Sequence, residues 1–143
     1  MKRNFRKGNY LISTDKSKLD IKAIQGYLST SYWAKNRLLK TTKLTVKNSL
    51  CFGVYHKNEQ VGFARVVTDY ATFAYIADVY ILEDHRRKGL SKWLMEVILG
   101  YHEVQNLRRW FLATRDAHTL YEKFGFTAIR EPEKLMEIFR KHL

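Results

Sequence analysis

The sequence is short of most residues that fix structure by chemistry rather than packing. It has a single cysteine, Cys51, and a single proline, Pro132, in 143 residues. One cysteine excludes an internal disulfide and a cysteine-based zinc cluster. Cys51 sits between Leu50 and Phe52 in an apolar run, as a buried thiol would. Acidic residues are also scarce, 14 against 26 lysines and arginines, for a net charge of +12. No apolar run approaches the roughly 20 residues that span a bilayer. The basic start, Met1 to Lys7, is followed by no signal-peptide core, so a cytoplasmic location is expected. Repeats, low-complexity tracts and flexible linkers are missing, and one domain over residues 1–143 is expected. The histidines show no ligand spacing, so no metal is expected.

What remains is ample apolar material, 45% of the chain, in patterned segments. Tyr10 to Ser13 reads as a strand. Asp20 suits an N-cap for a helix with Ile21, Ile24 and Leu28 on one face. A second helix covers Leu38 to Ser49. Leu50–His56, Gln60–Thr68 and Thr72–Leu82 then form a β-meander, with Lys57-Asn58-Glu59 as its first turn. The period next changes to 3.6, with Leu90, Trp93, Leu94, Val97 and Ile98 on one helical face up to about Gly100. Arg109–Thr114 reads as a buried strand, and Ala117–Phe124 as a short helix stopped by Gly125. Phe126–Ile129 and Leu135–Phe139 are expected as two last strands. This order calls for an α+β fold, a mixed, mostly antiparallel sheet with helices on both faces.

The chemistry concentrates where the third meander strand runs into the next helix, through Glu83-Asp-His-Arg-Arg-Lys-Gly-Leu-Ser91. Amides at a helix start lack intrahelical partners and carry the positive end of the dipole. Gly89 lets a phosphate approach the main chain, and Arg86, Arg87 and Lys88 add charge. These residues describe a diphosphate cradle, with an ordinary solvated turn as the alternative.

The same stretch resembles the acyl-CoA-binding motif of the GNAT superfamily of N-acetyltransferases, Gln/Arg-x-x-Gly-x-Gly/Ala, with Arg86, Gly89 and Ser91 on its defined positions. Ser91 stands where Gly or Ala is usual. A second segment, Ala117-His-Thr-Leu-Tyr-Glu-Lys-Phe-Gly-Phe126, is similar to the family's Ala-x-x-Leu-Tyr-Glu-Lys-x-Gly-Phe signature. The resemblance covers about residues 10–130 and points to a member of bacterial type. It implies the GNAT (acyl-CoA N-acyltransferase) fold, with a sheet splayed to admit CoA. It further implies that the amides of Arg87, Lys88, Gly89, Leu90 and Ser91 bind the pyrophosphate and that Val79 and Ile81 pair with the pantetheine arm. Tyr121 falls on the position of the general acid. Thr114 replaces an asparagine that often contacts that arm.

The implied activity is transfer of the acetyl group of acetyl-CoA to a primary amine of a small molecule or peptide by direct attack. Asp78 is the candidate base, although it equally suits a carboxylate that pairs with an arginine. Tyr32, Trp33 and Arg37, in an inter-helix loop, are candidates for the acceptor site, with a Tyr–Trp core plug as the alternative. Two other functions stay open: a catalytically silent acyl-CoA-binding regulatory module, and a basic nucleic-acid-binding protein. Nucleic acid is the less favoured partner because no recognition motif accompanies the charge, and no membrane partner is expected. Monomer and homodimer both remain compatible.

Overall fold

The computed structural model describes all residues 1–143. Two compact units are distinguished, Met1–Ala113 and Thr114–Leu143.

The first unit is built on a six-stranded sheet in sequential order: β1 (Asn4–Lys7), β2 (Tyr10–Ser13), β3 (Leu50–His56), β4 (Glu59–Thr68), β5 (Phe73–Ile81) and β6 (Arg109–Leu112). All neighbours are antiparallel except β5 and β6, which run parallel. The β3–β4 hairpin turns on Lys57 and Asn58 alone, both at positive φ (51° and 68°), as a two-residue turn with right-handed strand twist requires. The β4–β5 turn is held by Asp69, whose carboxylate accepts the amides of Ala71, Thr72 and Phe73.

Helices α1 (Ile21–Leu28) and α2 (Leu39–Lys47) cover one face of the sheet. Asp20 caps α1 as expected, accepting the Ala23 amide at 3.0 Å. Ile24 and Leu28 are completely buried and pack with Val46, Cys51, Phe63 and Tyr80, each worth roughly 2 kcal/mol of apolar burial. Burial pushes the Cys51 thiol up to about 11, so it is an inert core group.

Helix α3 (Leu90–Leu99) buries Leu90, Trp93, Leu94, Met95, Val97 and Ile98. Tyr101, just beyond it, packs edge-on against Phe52. Phe52 alternates with Cys51, so α3 serves the opposite face from α1 and α2. No helix is long and apolar enough to cross a membrane.

Two features position the site. The first is a β-bulge in β5: Phe63 pairs with Tyr80 and Arg65 with Ala77, so Asp78 and Val79 together oppose Ala64. Asp78 takes φ +53° there, a left-handed conformation that aspartate tolerates better than branched residues. The second is the divergence of β5 and β6. Their pairing ends at Ile76 and Leu112, while β5 continues to Ile81 with a strand on one side only.

The second unit contains α4 (His118–Glu122), ended by Gly125 at φ +93°. The Thr114 hydroxyl accepts the Ala117 amide ahead of this helix. The expected strands at Phe126–Ile129 and Leu135–Phe139 do not form: neither segment is paired, and Met136, Ile138 and Phe139 are exposed. Their β-favouring composition finds no ladder partner, and a strand exists only in pairs. One strand was also missed, β1, whose exposed basic residues carry no alternation.

Candidate functional site

The loop after β5 is drawn tightly back onto the strand it leaves. Arg86 donates from Nε to the Ile81 carbonyl at 2.9 Å and from Nη2 to the Tyr27 hydroxyl at 3.0 Å. Tyr27 in turn stacks on Tyr80, with ring centroids 4.0 Å apart. The Arg86 guanidinium therefore shapes the loop, and Arg86, Arg87 and Lys88 are all exposed. Arg87 and Gly89 both adopt positive φ, 63° and 77°. Gly89 is the N-cap of α3, which has no side-chain cap, and a β-carbon placed there would meet no atom within 4 Å. Open space thus faces the first amides of a ten-residue, mostly buried helix, flanked by basic side chains. That is the geometry of an anion cradle.

The strand leading into this loop has its outer edge turned toward the divergence. The Leu82 amide donates to the Val61 carbonyl at 2.8 Å, on the β4 side. Alternation then turns the amides of Ile81 and Val79 the other way, where no strand pairs with them.

On the α1/α2 face, the bulge presents Asp78 to three donors. Its Oδ1 accepts from Trp33 Nε1 at 3.0 Å, and its Oδ2 from Arg37 Nη1 at 2.7 Å and Arg65 Nε at 2.8 Å. Burial pushes the Asp78 carboxyl up, but the hydrogen bonds and charges of Arg37 and Arg65 outweigh it and hold the group below its ordinary range. Asp78 is 5% exposed and ionised. The loop that brings Trp33 and Arg37 here is itself anchored. Ser31 Oγ donates to the Leu28 carbonyl and accepts the Ala34 amide, Ala34 is buried, and Gln25 Nε2 donates to the Arg37 carbonyl at 2.6 Å. Tyr32 and Trp33 stay 48% and 41% exposed, packed edge to face at 5.1 Å.

Of the residues singled out in the sequence, the structure thus joins Trp33, Arg37 and Asp78 in one cluster, with Tyr32 on its rim. It gathers Val79, Ile81 and residues 86–91 along the end of β5 and the start of α3. Sequence reasoning missed Arg65, although a lone cation inside Val61-Gly-Phe-Ala-Arg-Val-Val67 was the available signal. It also missed a pocket of about 680 Å³ walled by Tyr27, Tyr80, Tyr55, Asp20, Gln60 and Leu82. Thr114 and Tyr121 belong to the second unit, where Tyr121 is buried and packs edge-on against Phe126.

Known proteins share this architecture. The family model for the acetyltransferase (GNAT) domain matches residues 47–128. A Gibberella zeae protein bearing an acetyltransferase name is 33% identical over 150 aligned positions, covering 90% of this chain and 85% of its own. A crystal structure described as a GNAT-family acetyltransferase, from Xanthomonas campestris pv. campestris, shows a TM-score of 0.91 at 46% identity, over 94% of this chain and 95% of its own. A GNAT acetyltransferase from Elizabethkingia anophelis, solved with acetyl-CoA bound, shares the fold at TM-score 0.66 and 15% identity, over 94% and 91% of the two chains. A splayed mixed sheet, a glycine-started helix after its middle strand and these matches agree, and the chain belongs to the GNAT acetyltransferase family.

Proposed function

We propose that this protein transfers the acetyl group of acetyl-CoA to a primary amine by direct attack, within a single functional domain. The observation that carries this reading is the start of α3, where Gly89 at φ +77° opens uncapped amides beside Arg87 and Lys88. A pyrophosphate fits there, on the amides from Arg87 to Ser91. The pantetheine arm would lie along β5 as an added strand, pairing at Val79 and leaving the Ile81 amide to the reacting carbonyl.

An alkylamine attacks a thioester only when neutral, whereas its conjugate acid has a pKa near 10. A proton must therefore leave, and the ion-paired Asp78 is a weak acceptor for it. We assign Asp78 to ordering Trp33, Arg37 and Arg65, and the amine proton to departure through water. The oxyanion that forms needs a preorganised donor, and the Ile81 amide points the required way. For the departing thiolate, the motif resemblance makes Tyr121 the proton donor. Tyr32, Trp33 and Arg37 form the acceptor side.

The test is a melting curve with acetyl-CoA, followed by CoA-thiol release across an amine panel. Saturation at about 100 Kd should stabilise the fold by about 2.7 kcal/mol. An unmoved melting temperature at millimolar acetyl-CoA would overturn the reading.

A further inference from the structure

The cluster around Asp78 is unbalanced in charge. Two guanidiniums, Arg37 and Arg65, converge on one carboxylate, and neither is paired with any other acid. Their side chains are only 19% and 12% exposed. A surplus positive charge withdrawn from water is costly unless something compensates it.

The hydrogen bonds show where compensation can come from. Asp78 is saturated by Trp33, Arg37 and Arg65. Arg65 spends Nε on Asp78 and Nη1 on Ser49 Oγ. Arg37 spends only Nη1, which leaves Nε and Nη2, adjacent donors along one edge of its planar fork. Such an edge matches a carboxylate with two parallel hydrogen bonds. Beside it, the exposed rings of Tyr32 and Trp33 offer an apolar wall. The cluster is also rigid: Asp78 sits in the β5 bulge, and the Arg37 carbonyl is fixed by Gln25. It is thus preorganised rather than assembled on binding.

We propose that the acceptor is an amine carrying its own carboxylate, of the amino-acid class, with that carboxylate held by the free edge of Arg37. This rests on the acetyltransferase reading above and names the substrate class for the same site. It excludes polyamines, whose charge would meet the surplus cation.

The experiment compares matched acceptors: leucine, leucinamide and isopentylamine, and glutamate beside its diamide. CoA-thiol release is followed for each, with the acetyl-CoA melting shift measured separately. The carboxylate members should exceed their partners by about 100-fold in kcat/KM, the scale of a lost buried charge contact. That ratio should collapse to a few-fold in Arg37→Gln and be partly restored in Arg37→Lys. Arg37→Gln should still melt higher with acetyl-CoA, since Arg65 and Trp33 continue to hold Asp78. Equal or faster turnover of the amides and simple amines would overturn the inference and leave the acetyltransferase reading standing. No turnover of any acceptor, with the acetyl-CoA shift intact, would likewise overturn it. Loss of the acetyl-CoA shift in the unaltered protein would overturn both.

Discussion

Arg86 Nε lies 2.9 Å from the Ile81 carbonyl, closing the five-residue span between the end of β5 and the cradle loop. A motif arginine, itself exposed, is thereby spent on the backbone of its own chain and on Tyr27. Replacing it with glutamine removes one charge-assisted bond to a carbonyl, worth about 1.5 kcal/mol. The expected outcome is a KM for acetyl-CoA raised about tenfold, with kcat little changed, measured by steady-state thiol release.

Gly89 supports a different expectation, because nothing crowds it. A β-carbon there has free space, so the penalty of Gly89→Ala comes from φ +77° alone. That conformation costs an alanine about 1 kcal/mol. Thermal unfolding should show a drop of a few degrees, and Gly89→Asn should lose less, since asparagine visits this region readily. A drop as large for asparagine as for alanine would contradict the conformational explanation.

Asp78 links the α1–α2 loop to β5 and makes part of the stability depend on pH. Its folded pKa lies below the ordinary 3.8 because the two arginines outweigh burial. The depressed value means that its contribution is fully present above about pH 4. It is lost as the pH falls through the folded value. Urea denaturation between pH 2 and 6 should show this acid-side loss. Asp78→Asn should lower stability by about 3 kcal/mol at neutral pH, by leaving two buried guanidiniums short of a counter-charge. It should also flatten the acid limb.

Tyr121→Phe separates chemistry from binding. If the phenol protonates the departing thiolate, kcat should fall about 100-fold. The melting shift with acetyl-CoA should be retained. An unchanged kcat would remove Tyr121 from the mechanism.

The conformation of the loop before α3 was legible in the sequence because it depends on backbone. Gly89, the basic triplet and the change of period from β5 to α3 are local signals, and the structure realises each where the sequence places it. The β3–β4 hairpin was legible for the same reason, through Lys57 and Asn58. What the sequence concealed depends on partners distant along the chain. Arg65 and Trp33 stand 13 and 45 residues from the carboxylate they share. The bulge that delivers Asp78 to them interrupts an otherwise regular apolar run without a glycine to announce it. The two terminal strands failed in the opposite direction, since Leu135–Phe139 has strand composition but no neighbour to pair with.

The divergence of β5 from β6 has a consequence for how the protein behaves in a crowded solution. From Ala77 to Ile81 the sheet carries, in its interior, a row of peptide groups with no ladder on one side. Such rows are templates on which stray strands of other molecules add, and proteins usually guard them at their periphery. Here the guard would be the donor molecule itself.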